Sequence, residues 1–218
     1  EDIDNIDKNN SLKDTTVVLD TMLVVDALKL DTEYKSNSME ELLILIQKNG
    51  GKLYTFDYYV EELCNIIEKY LVDIESRISL DLDSYRRKNV TKAEIILQLN
   101  ELKNNEENLL PIQLPYNNLE INILSTVSYS DLIKKKSWHI DYSQLKNIIE
   151  SRITYNSPQA FDNDCRTIEY ILYEYIVKKH NIIFLSSNSD LIFVAKDFVE
   201  FQYKKLFYTD IDLTAKIW

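Results

Sequence analysis

Apolar residues fall into short blocks whose period changes along the chain. Thr16-Val17-Val18-Leu19 is a β-branched run that stops at Asp20, and Thr21-Met22-Leu23-Val24-Val25-Asp26-Ala27-Leu28 follows without a break. The pair predicts a buried strand passing into a helix. Glu40 to Gln47 has helical spacing and is stopped by Asn49-Gly50-Gly51, a strong helix-ending signal. Lys52 to Phe56 predicts a second strand. Val60 to Val72 predicts a helix with Val60, Leu63, Cys64, Ile67 and Leu71 on its apolar side. The order strand, helix, helix, strand, helix favours a parallel sheet with helices on both faces.

From Asp73 to about Glu150 the chain turns charged and helix-like, with Pro111 and Pro115 interrupting it. This predicts a helical insertion over about 73–150, with a short strand around Leu119-Ile121-Ile123. After Pro158 the alternation resumes: a helix from about Asp164 to Lys179, a strand at Ile182 to Leu185, and a helix from about Asp190 to Gln202. Strands are then expected near Leu206-Phe207-Tyr208 and from Leu213 to Trp218. Glu1 to Lys13 is polar and reads as a lead-in with nothing to bury. The expectation is one α/β domain over 14–218, a three-layer sandwich on a mainly parallel sheet, carrying the insertion.

Composition removes many chemistries. The 218 residues include only two glycines, adjacent at Gly50-Gly51. A dinucleotide turn, a Walker phosphate loop, a GxSxG elbow and an EF-hand loop are therefore all absent. His139 and His180 lack HExxH spacing, and Cys64 and Cys165 alone cannot make a cysteine-rich zinc site. Low cysteine use and the absence of any apolar run near the ~20 residues of a membrane span point to a cytoplasmic chain without a membrane partner. It begins at Glu1 without Met and ends on an apolar stretch at Trp218, so a piece of something longer, with further domains, a protein partner or self-association, is expected. The net charge of −11 argues against a generally basic nucleic-acid coat. It is compatible with a nuclease, in which bound cations supply the charge that a phosphate meets.

Acids at the carboxyl ends of parallel strands carry more weight than acids elsewhere, because ligands collect there. Asp20 follows the first strand; Glu61 and Glu62 follow the second; Asp162 and Asp164 open the helix after the insertion; Asn188 and Asp190 follow the strand at Ile182 to Leu185. Each has a bland explanation. Asp20, Asp164 and Asp190 are natural helix N-caps, and Glu61-Glu62 suits a solvated helix face. Their joint placement points to a metal site, since like charges converging on one cleft destabilise a fold unless a cation uses them.

These segments resemble the PIN domain nucleases. The resemblance rests on Val17-Val18-Leu19-Asp20-Thr21, on Thr55 to Val60 leading into Glu61-Glu62-Leu63, on Asn163-Asp164-Cys165-Arg166-Thr167-Ile168, and on Phe184-Leu185-Ser186-Ser187-Asn188-Ser189-Asp190-Leu191. It covers about 14–72 and 155–218. Ile211 to Trp218 is similar to the closing strand of larger bacterial PIN-like proteins. The resemblance implies that Asp20, Glu62, Asp164 and one of Asn188 or Asp190 hold one or two Mg²⁺ or Mn²⁺ ions, with Glu61 and Asp162 as alternates. It implies hydrolysis of a phosphodiester, in single-stranded RNA rather than DNA, leaving a 5′-phosphate. Haloacid-type phosphatases and DxSxS metal sites fit less well, because position 22 is Met22. Receiver domains fit less well too, since the Lys they need after a late strand is not evident.

Weaker signals surround this reading. Arg166 is placed to meet a phosphate or to pair with Glu169 or Glu62, and Thr21 and Ser186 to orient water. Arg86-Arg87-Lys88 and Lys134-Lys135-Lys136 are the concentrated basic runs; they grip a backbone or form solvated faces. Of fifteen tyrosines, Tyr58, Tyr59 and Tyr155 are expected near the site. The competing expectation is a non-catalytic scaffold of the same fold that binds RNA or a protein.

Overall fold

The computed structural model describes residues 12–30, 33–66, 111–126, 140–155 and 157–218. Residues 1–11 of the expected lead-in, 67–72 of the helix expected over Val60 to Val72, most of the insertion, both basic runs and His139 lie outside the described residues.

Six strands form one sheet in the order β3-β4-β2-β1-β5-β6. They are β1 (Thr16–Leu19), β2 (Lys52–Phe56), β3 (Ile112–Gln113), β4 (Glu120–Leu124), β5 (Ile182–Ser186) and β6 (Phe207–Thr209). All neighbours pair in parallel except the short edge strand β3, which runs antiparallel to β4. The described helices are α1 (Thr21–Ala27), α2 (Glu33–Lys48), α3 (57–66), α4 (Tyr142–Glu150), α5 (Pro158–Ile176), α6 (Ser189–Phe198) and α7 (Asp210–Ile217), with a 3-10 turn at Phe201–Leu206 between α6 and β6.

The central strand is buried on both faces, which is why it reads as an unbroken apolar run. Val17 and Leu19 join a core with Leu23 and Val24 of α1, Leu43 and Ile46 of α2 and Leu213 of α7. Val18 joins a second core with Leu145 of α4, Ile168 and Ile171 of α5 and Leu191 of α6. Two cores separated by one sheet make a three-layer α/β arrangement. Among the described residues, no helix is long and apolar enough to cross a membrane.

β1, α1, β2 and β5 stand where the sequence pattern puts them; α2 begins at Glu33, seven residues ahead of the expected Glu40, α3 begins at 57 rather than Val60, and three further elements differ for local reasons. α5 begins at Pro158, six residues ahead of Asp164, because the Ser157 hydroxyl accepts the Ala160 amide at 3.1 Å and Pro158 suits the first helical position. α6 stops at Phe198, before the 3-10 turn, rather than running to Gln202. The expected last strand is the helix α7. Thr209 Oγ1 accepts the Asp212 amide at 3.0 Å, Asp210 and Asp212 lie in the first turn and Lys216 in the last. Leu213 and Ile217 then recur at the helical spacing of four and pack on one core.

The strand expected around Leu119 to Ile123 is β4. It pairs with β2 (Tyr54 opposite Asn122), so part of the 73–150 span lies within the sheet.

At the amino-terminal edge, Thr16 Oγ1 lies 3.0 Å from His180 Nε2, and His180 Nδ1 lies 3.1 Å from Glu174 Oε2. The chain hydroxyl, imidazole, carboxylate has the order of a hydrolase relay, but Thr16 is buried within the central strand. This network clamps the start of β1 to the loop before β5, and Lys178 Nζ, 2.6 Å from Glu174 Oε1, balances the buried charge.

The α2–β2 turn depends on both glycines. Gly50 has φ +83°, and a Cβ on Gly51 would meet Ile46 Cγ2 at 2.7 Å. Gly50→Ala is expected to cost about 1 kcal/mol through left-handed strain, and Gly51→Ala about 1–3 kcal/mol through overpacking. Urea unfolding of both variants measures this, and unchanged midpoints would refute it.

Candidate carboxylate site

The carboxyl ends of β1, β2 and β5 lie side by side, so the residues just after them share one edge of the sheet. Thr55 Oγ1 donates to the Leu19 carbonyl at 3.0 Å and ties the end of β1 to β2. Asp20, the next residue, is buried. Its Oδ1 accepts the Leu23 amide at 2.8 Å, which caps α1. Its Oδ2 accepts the Ser187 amide at 3.2 Å and a short bond from the Ser186 hydroxyl, both from the end of β5. Capping and site membership are therefore not alternatives for Asp20.

Glu62 is half-buried on α3 and accepts the Thr21 hydroxyl at 2.9 Å. Asp164 sits in the second turn of α5, so it is not a helix cap. Its Oδ2 accepts the Tyr155 hydroxyl at 2.7 Å, and Tyr59 OH stands 3.4 Å from its Oδ1.

These three acids lie close enough to feel one another's charge. Burial pushes the Asp20 carboxyl up to about 6; the Ser186, Leu23 and Ser187 hydrogen bonds pull it back, and the Glu62 charge adds to the rise. Burial likewise pushes Asp164 up to about 7, with the Tyr155 bond opposing and the charges of Asp20 and Glu62 reinforcing. Three distant segments thus bring their carboxylates within electrostatic reach of one another, with burial the main reason that Asp20 and Asp164 are raised.

The other expected site residues have settings of their own, although the Asn188 amide donates at 3.0 Å to the Ser186 hydroxyl that bonds Asp20. Glu61 is exposed on α3. Asp162 pairs with Lys146 of α4 at 3.4 Å. Asn188 caps α6, its Oδ1 accepting the amides of Asp190 and Leu191 at 3.1 and 3.2 Å, and Asp190 is an exposed residue of that first turn. Arg166 is exposed. Thr21 and Ser186 do belong, as donors that hold Glu62 and Asp20.

Two contributions escaped the sequence reading. Asp57, directly after β2, accepts the Thr126 amide and hydroxyl, each at 2.7 Å, and so joins the ends of β2 and β4. Its position after a strand, like that of Asp20, was the available signal. Thr167, one turn beyond Asp164, gathers the hydroxyls of Tyr58 and Tyr59 at 2.7 and 2.8 Å. No sequence spacing announces that contact.

The donor set is all oxygen and anionic, which suits a hard divalent cation in charge and in chemistry. As they stand, the carboxylates are engaged with hydroxyl and amide donors, and among the described residues no three His, Cys, Asp or Glu side chains are gathered around one coordination point. A cavity of about 270 Å³, lined by Tyr175, Ile176, Lys179, His180, Asn181 and Tyr203, opens at the opposite edge of the sheet and includes none of these acids. No family model matches the chain, and neither does a curated protein or a solved structure.

Asp20 and Asp164 hold protons to higher pH when folded than at their ordinary value of 3.8. Between about pH 4 and 7 the folded state therefore binds more protons than the unfolded one, and stability falls as pH rises through that window. Asp164→Asn keeps the shape and removes the charge. It should gain about 1–2 kcal/mol over wild type at pH 8, after allowance for partial exposure, and almost nothing at pH 4. Denaturant titrations at the two pH values decide, and an absent gain at pH 8 would count against strained carboxylates.

Proposed function

We propose that this protein is a divalent-cation-dependent nuclease of the PIN-like type, an endoribonuclease acting on single-stranded RNA. The observation that carries the reading is the placement of Asp20, Glu62 and Asp164 at the carboxyl edge of the central parallel strands, where burial raises the Asp20 and Asp164 carboxyls and the neighbouring charges add to it. Carboxylates held close with little water are costly to keep charged, and a bound cation would turn that cost into affinity.

Asp20, Glu62 and Asp164 are the residues that would hold Mg²⁺ or Mn²⁺. The ion, when bound, supplies polarisation of the scissile phosphate and acidification of the attacking water. The chain's own part is orientation. Ser186 and the Leu23 and Ser187 amides fix Asp20, Thr21 fixes Glu62, and Tyr155 fixes Asp164. With a chain charge of −11, the approach of an RNA phosphate depends on cations at this edge.

The internal hydrogen bonds that engage all three carboxylates favour a second reading, a scaffold of the same fold that binds RNA or a protein without cutting.

Incubation of the full chain with end-labelled single-stranded RNA and millimolar Mn²⁺ separates the two. The nuclease reading expects cleavage that falls about a hundredfold or more in Asp20→Asn and Asp164→Asn, together with a Mn²⁺-dependent rise in melting temperature that both variants lose. RNA left intact by a wild type that does bind the RNA would select the scaffold. An equal Mn²⁺ shift in Asp164→Asn would remove Asp164 from the site.

A further inference from the structure

The cavity of about 270 Å³ at the amino-terminal edge of the sheet is walled by residues from two segments, the end of α5 with the loop into β5 (175–181) and the 3-10 turn at Phe201–Leu206. In a chain of net charge −11, these two segments hold Lys178, Lys179, Lys204 and Lys205 and no acid. The acids that immediately precede them are engaged: Glu174 is buried against Lys178 and His180, and Glu200 accepts the Gln202 side-chain amide at 2.8 Å. Asp14, in the loop before β1, faces Lys52 at 3.8 Å. Lys179 lines the cavity, and Lys205 Nζ stands 5.7 Å from the centroid of the Tyr175 ring. An anion is therefore attracted to this corner of an otherwise acidic molecule.

The same wall is aromatic. Tyr175 and Tyr203 meet edge to face with centroids 6.2 Å apart, and Ile176 adds apolar surface beside them. His180 has both ring nitrogens engaged, by Glu174 at 3.1 Å and by Thr16 at 3.0 Å, so its ring face is what it has left to offer. Asn181 gives one amide proton to Thr15 Oγ1 at 2.7 Å, which fixes the amide and leaves its carbonyl oxygen and second amide proton for a ligand. Rings to stack on, an amide for a base edge and ammonium groups for a phosphate are the recognition elements of a nucleotide. An aromatic amino acid would bring its ammonium against the lysines. A bare phosphate would leave the rings and the Asn181 amide unused. The volume lies just below the usual range of ligand cavities, about 300–1,000 Å³, and suits one nucleotide better than a length of strand.

We propose that this cavity binds a single nucleotide, with its base against Tyr175 and Tyr203 and its phosphate at Lys179 and Lys205, either free or as the 5′-phosphorylated end of an RNA. The site is separate from the carboxylates at the other edge and stands whether or not they hold a cation. Its wall doubles as the clamp on β1, because His180 and Asn181 are the residues that bond Thr16 and Thr15.

The test is equilibrium dialysis of radiolabelled AMP against the full chain in EDTA, run on wild type, Lys179→Gln, Tyr203→Leu and Lys216→Gln, with melting of each protein recorded alongside. Lys179 is exposed and Tyr203 is half-buried, and leucine keeps the apolar packing, so both variants should melt near wild type. The AMP dissociation constant should rise about tenfold or more in Lys179→Gln, through the lost charged hydrogen bond, and in Tyr203→Leu, through the lost stacking surface. Lys216→Gln removes the same charge from α7, away from the cavity, and should bind as wild type does. Equal weakening in Lys179→Gln and Lys216→Gln would mean diffuse attraction by charge and would overturn the site. Inorganic phosphate displacing AMP at the concentrations at which AMP itself binds would overturn the nucleotide and leave a plain anion site. A second arm compares short single-stranded RNA with and without a 5′-phosphate. Tighter binding of the phosphorylated form, lost in the same two variants, assigns the site to RNA ends, and binding of AMP alone assigns it to the free nucleotide. Binding of neither probe by wild type would overturn the inference.

Discussion

One carboxylate joins the layers of this fold. Asp20 takes the free amide at the start of α1 on one oxygen and the Ser186 hydroxyl and Ser187 amide from the end of β5 on the other. The helix layer and two central strands are thus registered at a single side chain. These bonds compensate in part for its burial, which still leaves the carboxyl raised to about 6. Its neighbours in sequence extend the join: Thr21 follows it and donates to Glu62, and the Leu19 carbonyl just before it accepts Thr55 from β2.

Asp164 meets the same difficulty by another route. No helix end or strand end serves it, since it lies inside α5. Its donors are tyrosines whose rings belong to, or border, the core beneath. Tyr58 and Tyr59 stack near Phe56, with ring centroids 5.0 and 5.9 Å away, so the aromatic packing that buries the end of β2 also aims hydroxyls at Thr167 and Asp164. The apolar body of tyrosine fills the core while its polar tip serves the site. Core and site are built from the same residues here, and a change in one is felt in the other.

The opposite edge shows why a list of side-chain types is a poor guide to chemistry. Thr16, His180 and Glu174 have the order of a catalytic relay, but the hydroxyl belongs to a residue buried in the central strand and serves to tie β1 to the loop before β5. At the carboxyl edge the residues are chemically plainer, and their placement beyond the strand ends, where α/β sheets collect ligands, makes them the better candidates.

Much of this was legible in the chain. The unbroken apolar runs at 17–19 and 182–185 determine two central parallel strands, because only a strand covered on both faces can bury such a run, and the shorter block at 53–56, buried at Leu53, Thr55 and Phe56, gives their neighbour. Asn49-Gly50-Gly51 determines the end of α2 through the left-handed Gly50. Asp20 and Glu62 could be picked out because they follow strands closely. Other features depend on partners far away in sequence. Leu213 to Ile217 alternates well enough for a strand, and its helical state is decided by the Thr209 cap and by packing on the α2 side of the sheet. Asn188 and Asp190 have the same sequence setting as Asp20, yet they stay exposed on α6 while Asp20 is buried between two strands. Which acids are solvated and which are strained together is a matter of desolvation and mutual distance. Those are set by the packing of α3 and α5 against the sheet, so only the tertiary structure shows that Asp20 is buried and Asp164 carries a raised carboxyl while Glu61 and Asp190 stay exposed.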